Sequence, residues 1–165
     1  LVSVKWPMPF AYPAGHTPRV GQGWIAREGT DALIIGYGPW MLANAFHAAE
    51  DLQQRTGIAA RIVALPWLNR IDPAWLKQTI GTRRTVVTLD NHYVHGGQGD
   101  MVAAAIAELA IDPAVRVTRI GVEALPECGT NDEVLAHHRL DVAGLVARLE
   151  TALASLLTGA VPNPR

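Results

Sequence analysis

Length, composition and charge limit what this chain can be. Its 165 residues are enough for one ordinary domain and too few for two with a linker, and 49% hydrophobic with 18% charged residues exclude a disordered or fibrous chain. A net charge of -1 with scattered lysine and arginine predicts no nucleic-acid partner, and apolar runs far shorter than about 20 residues predict no membrane span.

The first 23 residues predict an extended arm or linker. They contain four prolines and three glycines, more breakers than a helix or a central strand tolerates. Residues 2–4 favour a short strand, but nothing else in this chain is an evident partner for it.

From Trp24 onward the pattern predicts a hairpin that leads into a buried strand. Residues 24–27 form its first strand, residues 28–31 its turn, and residues 32–37 its nearly all-apolar second strand. Pro39 then suits a first helical turn, and apolar residues at helical spacing predict a helix that stops at Gly57.

Alternation of strands and helices continues to the end of the chain. Three more strands are predicted, over residues 60–65, 85–89 and 115–120. Four more helices are predicted, one capped by Asp72 and the others over residues 101–109, 131–135 and 141–157. This order predicts a three-layer α/β/α domain over residues 24–158, followed by a frayed tail over residues 159–165. Its sheet has five mostly parallel strands, with the Trp24 strand as an antiparallel edge.

The loops at the carboxyl ends of the strands are where such a sheet meets ligands or partners. They comprise residues 36–39, 65–67, 90–99 and 121–123. The third combines a carboxylate, an amide, two histidines and a tyrosine with three glycines. Two interpretations remain open: its polar groups bond its own backbone, or it contacts a neighbouring domain, which glycines allow to approach closely. The residues assigned to that contact are Asp90, Asn91, His92, Gly96, Gly97 and Gly99.

Nucleotide and metal sites are poorly supported by the sequence. The turn after Gly36 has Met41 where a dinucleotide fingerprint needs its third glycine, and Pro39 lacks an amide for phosphate. His92 and His95 have no second cluster of ligands to complete a metal site. His137 and His138 are adjacent in a predicted helix, so we expect them to point to different faces.

No catalytic residue is predicted in this chain. The single cysteine, Cys128, has no base beside it, so we expect a small buried or half-buried thiol. One cysteine also favours a reducing compartment, and we expect the cytoplasm. The rival in which this chain is an enzyme by itself uses His92 or His95 as a base. A further rival is a free-standing domain that binds a small anion or a nucleotide at the carboxyl edge of the sheet.

The order of several short motifs resembles a known family. Gly21-Gln22-Gly23 and the following run to Gly38, with Arg27-Glu28-Gly29-Thr30-Asp31 inside it, resemble the entry to the last domain of transketolases, 1-deoxyxylulose-5-phosphate synthases and 2-oxoacid dehydrogenase β subunits. Residues 48–52, 57–63 and 86–92 continue the resemblance, and so do Gly96-Gly97-Gln98-Gly99 and residues 119–122 and 128–130. Residues 71–73 match a further motif with the order of proline and aspartate altered. Asp90 stands where the family usually has glutamate, and Asp90-Asn91-His92 leans toward transketolase.

The resemblance implies both a fold and a division of labour. The family's last domain is a three-layer α/β domain with a five-stranded mixed sheet. Thiamine diphosphate and its divalent metal, Mg²⁺ or Ca²⁺, are held by diphosphate-binding and pyrimidine-binding domains that precede it, and the Gly-Asp-Gly metal motif of those domains does not occur in this sequence. Residues 2–7 resemble the end of the pyrimidine-binding domain. We therefore expect a split subunit or a fragment of a larger enzyme, inactive alone, which assembles with those domains as a homodimer or heterotetramer.

Overall fold

The computed structural model describes Pro9, Tyr12 and residues 14–157. The strands are β1 Trp24–Arg27, β2 Ala32–Gly36, β3 Ala60–Ala64, β4 Thr85–Tyr93 and β5 Arg116–Val122. The helices are α1 Pro39–Thr56, α2 Pro73–Ile80, α3 Gln98–Glu108, α4 Asn131–His137, α5 Val142–Ala152 and α6 Ala154–Leu157. The predicted strand over residues 2–4 and the predicted tail over residues 159–165 lie outside the described residues. The predicted domain boundaries stay predictions.

All five strands form one mixed sheet in the order β1-β3-β2-β4-β5. β3, β2, β4 and β5 are parallel, and β1 pairs antiparallel with β3 at one edge. Every residue of β2 is buried, because this strand lies in the middle of the sheet with helices on both faces. The predicted fold class is confirmed.

The predicted hairpin is wrong in its pairing. β1 and β2 are joined by residues 28–31, but Trp24 pairs with Ala64 of β3, and β2 lies on the other side of β3. The connection crosses the start of β3, where Asp31 accepts a hydrogen bond from the Ala59 amide at 2.7 Å. Gly29 is packed so closely there that a Cβ atom would lie 2.3 Å from the carbonyl carbon of Ala60. The short connection from β1 to β2 therefore passes across the start of β3, and the all-apolar β2 lies at the centre of the sheet.

Successive residues of β2 face two separate cores. Ile34 packs in the core that α1 and α5 cover, and Leu33 and Ile35 pack in the core that α2 and α3 cover. The sheet is thus the middle layer of three. No helix in the part of the chain that the structure describes has both the length and the apolar character that crossing a membrane requires.

Two elements differ from their predictions by more than a turn or a few residues at one end. The helix predicted over residues 141–157 breaks at Leu153, and α6 follows it as a separate turn. The Thr151 hydroxyl donates a hydrogen bond to the carbonyl oxygen of Ala147 at 3.0 Å. Such a bond slightly destabilises a helix. β4 continues four residues beyond the predicted Leu89, to Tyr93. This extension carries β4 beyond the end of its pairing with β2 at Leu89, while Tyr93 still pairs with β5, and it positions the candidate site.

Candidate functional site

The loops that follow β2 and β4 meet at the point where the strand order reverses. The chain passes from β2 to β3 on one side and then returns to β4 on the other side of β2. Gly36 at the end of β2 pairs with Leu89 of β4, so the two loops leave the sheet side by side. Such a reversal is the usual position of a binding crevice in an open α/β sheet.

Asp90 anchors the inner half of the loop over residues 90–99. Its side chain is fully buried and accepts hydrogen bonds from the amides of Gln98 at 2.7 Å and Gly99 at 2.9 Å. A third bond comes from the Tyr37 hydroxyl on the neighbouring loop. Gly97, which precedes α3, has no side chain to cap the helix. The carboxylate of Asp90 therefore satisfies the first amides of α3 from the end of β4.

Burial and hydrogen bonding act in opposite directions on this pair of side chains. Burial raises the pKa of Asp90, and the bonds from Gly99, Gln98 and Tyr37 oppose that rise. Burial, followed by the Asp90 charge, raises the pKa of Tyr37 to about 12. The Tyr37 hydroxyl therefore keeps its proton and remains a donor to Asp90 throughout the ordinary pH range. The positive end of the α3 dipole also favours the carboxylate.

Two of the three loop glycines make room for the Asp90 carboxylate. A Cβ atom on Gly97 would lie 2.5 Å from Asp90 Oδ1, and one on Gly99 would lie 2.5 Å from Thr88 Oγ1 and 2.8 Å from Asp90 Oδ2. Gly96 differs, since it has a φ of +79° and open space around it. Gly97 and Gly99 thus serve the interior of the loop.

Gln98 ties this loop to the one that follows β3. Its buried side-chain amide donates to the carbonyl oxygens of Leu65 at 2.8 Å and Trp67 at 2.9 Å. The Trp67 indole in turn donates to the Gln22 carbonyl at 3.1 Å, and the Gln22 side chain donates to Asp72 at 2.8 Å. The sequence analysis singled out neither Gln98 nor Tyr37. The signal available in the sequence for Gln98 was a long polar side chain at the first position of a helix, on the side of that helix that is buried.

The outer half of the loop is exposed and held in place by backbone pairing. The Val94 amide donates to the Val122 carbonyl at 3.0 Å, and Tyr93 pairs with Val122. Between the Leu89 and Tyr93 pairs β4 has three residues against one on β5, so this segment bulges outward. The exposed residues are Asn91, His92, Tyr93, His95 and Gly96. The His92 ring meets the Tyr93 ring edge-on, with 5.8 Å between centroids.

The return of the loop into α3 is fixed by an ion pair. Asp100 accepts a hydrogen bond from the Gly96 amide at 2.6 Å and pairs with Arg119 of β5. Arg119 also donates to the Val94 carbonyl at 3.3 Å. The bulged outer segment is therefore braced at both ends.

Two expectations about single side chains are wrong. Cys128 is exposed, because it lies in the loop between β5 and α4, outside both cores. His137 and His138 do not point apart: α4 ends at His137, and the two rings meet edge-on with 4.9 Å between centroids. Among the described residues, no three His, Cys, Asp or Glu side chains come together as a divalent metal would need.

Comparison with known proteins identifies the family of this chain. Residues 21–145 match the sequence profile of the family described as "Transketolase, C-terminal domain". This chain belongs to that family. The resemblance given by the short motifs is confirmed, and the matched residues contain β1 to β5 and the whole of the loop over residues 90–99.

Several relatives of the transketolase C-terminal domain are similar over most of this chain. A 1-deoxy-D-xylulose-5-phosphate synthase of Trichormus variabilis is 41% identical over 118 residues, which are 69% of this chain and 18% of that protein. A transketolase C-terminal section of Methanocaldococcus jannaschii is 31% identical over 134 residues, 81% of this chain and 40% of that protein.

Solved structures show the same fold. A split gene transketolase, described as an inactive tetramer of beta subunits, has a TM-score of 0.77 at 31% identity over 89% of this chain and 47% of that chain. A transketolase of Pichia stipitis, at 14% identity and a TM-score of 0.62 over 84% of this chain and 19% of that chain, shares the fold. This chain spans less than half the length of each of these relatives.

Proposed function

We propose that this chain is the assembly domain of a thiamine-diphosphate-dependent, transketolase-type enzyme and does not turn over substrate by itself. The observation that carries the proposal is the division of the loop over residues 90–99. In its inner half, the Asp90 carboxylate accepts hydrogen bonds from backbone amides of the same loop. Its outer half presents exposed polar and aromatic side chains on a braced bulge. Such a surface suits contact with another domain better than chemistry.

The outer half of the loop packs against the pyrimidine-binding domain and helps to set the dimer in this proposal. Tyr93, 42% exposed, would supply the aromatic anchor, and Asn91 and His92 the polar contacts around it. The split gene transketolase is described as an inactive tetramer of beta subunits. This description supports a C-terminal chain that assembles with itself and is inactive in that state. Homodimeric and heterotetrameric assemblies and a cytoplasmic location belong to the same proposal.

Thiamine diphosphate and Mg²⁺ or Ca²⁺ would be bound by the other parts of the enzyme. When bound there, the cofactor would supply the chemistry of two-carbon ketol transfer. The residues of this chain would orient those parts and fill the contact surface. The rival with His92 or His95 as a catalytic base is less well supported, since both side chains are exposed on the surface of the loop, where a substrate would not be enclosed.

The test combines this chain with the thiamine-diphosphate-binding subunit or portion encoded with it. We expect transfer from xylulose 5-phosphate to ribose 5-phosphate by the mixture and none by the chain alone. The variant with both His92→Ala and Tyr93→Ala should form the complex roughly tenfold or more weakly in analytical ultracentrifugation, because an interface tyrosine is often an affinity hot spot. Its melting temperature should stay near that of the parent, because both side chains are exposed.

A matched control is Gln78→Ala, an exposed residue near the end of α2 that leads back to the start of β4. This variant should assemble and support activity like the parent. Turnover of a ketose by the chain alone, or equal assembly by the His92 and Tyr93 double variant, would contradict the proposal.

A further inference from the structure

A basic groove runs beside β5, the strand at the edge of the sheet opposite β1. It consists of two adjoining cavities of about 340 Å³ and 250 Å³, which share Glu123, Arg139 and Arg148 as lining residues. The arginines that line it are Arg116, Arg119, Arg139 and Arg148. Within the described part of the chain, Glu123 is the one carboxylate that lines either cavity. The groove thus concentrates positive charge in a chain whose net charge is close to neutral.

Arg139 occupies a position that normally belongs to glycine. The Leu140 amide donates to the Leu135 carbonyl at 2.8 Å and the Arg139 amide to the Ala136 carbonyl at 3.0 Å, the bonds of a Schellman motif at the end of α4. Arg139 closes that motif with a φ of +56°, a conformation that side chains other than glycine rarely adopt. Its side chain is exposed, and no ion pair engages it among the described residues. The backbone therefore tolerates strain while the guanidinium stays free at the groove.

Arg148 reaches the same groove from α5 and already holds a carboxylate. Its side chain is only 17% exposed, donates to the Gly121 carbonyl at 3.5 Å and pairs with Glu123. The Glu123 side chain is 61% exposed and lies on the loop after β5. Because that side chain can turn into solvent at little cost, its carboxylate marks an anion position that an incoming ligand can take.

His138 adds a buried polar atom with no partner. The residue is 9% exposed and lines the smaller cavity, and its Nε2 atom is buried without a hydrogen bond among the described residues. Buried polar atoms in folded proteins are normally satisfied, so this Nε2 atom would gain from a hydrogen bond to a ligand bound at the cavity. The neighbouring His137 ring lines the same cavity.

We propose that this groove binds the phosphate group of a small molecule, either inorganic phosphate or a phosphomonoester, between Arg139, Arg148 and His138. Three donors from the end of α4 and from α5 suit a group with several equivalent oxygens, and guanidinium groups match phosphate geometry. Glu123 turns away when the ligand enters. Arg139, Arg148 and His138 all lie outside the loop over residues 90–99, and the proposal does not depend on the proposed function.

Isothermal titration calorimetry of the full chain with inorganic phosphate, at constant ionic strength with chloride as the reference anion, tests the site. We expect saturable binding to the parent chain. Arg139→Gly should weaken binding roughly tenfold or more, since a charged donor is lost. The same substitution should keep or raise the melting temperature, because glycine fits the backbone at this position, so loss of binding cannot be attributed to unfolding. Glu123→Gln should tighten binding by removing the competing carboxylate.

Ala110→Gly is the matched control for Arg139→Gly. Ala110 is also exposed and has a φ of +44°, but it lies after α3 and lines neither cavity. We expect it to bind phosphate like the parent. No saturable heat with the parent up to about 10 mM phosphate overturns the proposal. Unchanged binding by Arg139→Gly, or an equal loss in Ala110→Gly, overturns it as well. Phosphate-induced NMR shifts should include the rings of His137 and His138, and shifts confined to other residues would also contradict it.

Discussion

The two halves of the loop over residues 90–99 use the same kinds of residue for opposite purposes. In the inner half, Asp90, Gln98 and Gly99 are buried, and the Asp90 carboxylate and the Gln98 amide group are hydrogen bonded to the backbone. In the outer half, Asn91 and His92 are exposed, and the backbone of the bulge holds them in place. Residue type alone therefore does not assign a role in this loop. A polar group at the base of the loop, against the start of α3, stabilises the loop, whereas one on the outward bulge remains available to a neighbour.

Among variants of the inner half, Gly99→Ala should destabilise the chain most. The new Cβ atom would lie 2.5 Å from Thr88 Oγ1 and 2.8 Å from Asp90 Oδ2, and both of these residues are fully buried. We expect a loss of about 3 kcal/mol in the free energy of unfolding, measured by urea titration with an unchanged m-value. Gly96→Ala is the control: open space surrounds it, so it should lose only about 1 kcal/mol from its left-handed backbone. Equal losses for the two variants would show that the inner half is not tightly packed.

Asp90→Asn should have a smaller effect that depends on pH. The amide of asparagine can accept one of the two backbone bonds but turns a donor toward the other, so we expect a loss of about 2 kcal/mol near pH 7. Because the pKa of Asp90 is raised in the folded chain, the native state binds this proton more tightly than the unfolded state does. The part of the Asp90 contribution that depends on this proton is therefore fully present below about pH 3.9, its unfolded pKa, and is lost as pH rises through its folded pKa, whereas the hydrogen bonds to the backbone remain near pH 7.

The measurement for Asp90→Asn is the difference in unfolding free energy between parent and variant, followed upward from about pH 3.5, just below that unfolded pKa. Taking the difference cancels the groups that titrate in both chains, including Asp72 and Glu133, whose pKa values are lowered by their hydrogen bonds. The advantage of the parent should shrink as pH rises. An advantage that grows with pH would mean that the backbone bonds, and not burial, dominate the pKa of Asp90.

Tyr37→Phe should have the smallest effect on the free energy of unfolding, and it separates the contribution of the neighbouring loop from that of the backbone amides. It removes one of three donors to the Asp90 carboxylate and leaves both backbone bonds in place. We expect a loss of about 1 kcal/mol in unfolding free energy, determined by urea titration. A loss as large as that of Gly99→Ala would place the main support of the inner half on the neighbouring loop.

Much of the fold could be predicted, because its signals are local. Apolar runs at strand and helix spacing predicted all five strands and the order of the helices, and Asp72 followed by Pro73 gave the start of α2. Pairing was harder. The turn over residues 28–31 has the length of a hairpin turn, and no local signal shows that β3 lies between the two strands it joins.

The candidate site was predicted as a segment but not as an arrangement. The composition of residues 90–99 drew attention to the loop, yet the partners of Asp90 come from Tyr37 on another loop and from amides eight and nine residues later. The contact of the His137 and His138 rings likewise depends on where α4 ends, and the exposure of Cys128 depends on where its loop lies. Each of these outcomes depends on long-range packing or on an element boundary, the least certain part of a sequence-based prediction.

The sequence by itself determined the α/β class, the parallel central strands and the family to which the chain belongs, since periodicity and ordered short motifs are properties of the chain alone. Tertiary structure alone decided which strand lies beside which, which glycines face the Asp90 carboxylate and which arginines share the groove beside β5. The physical reason is that burial and charge clustering depend on residues far apart in the sequence, which meet only when the sheet and its two helix layers have formed.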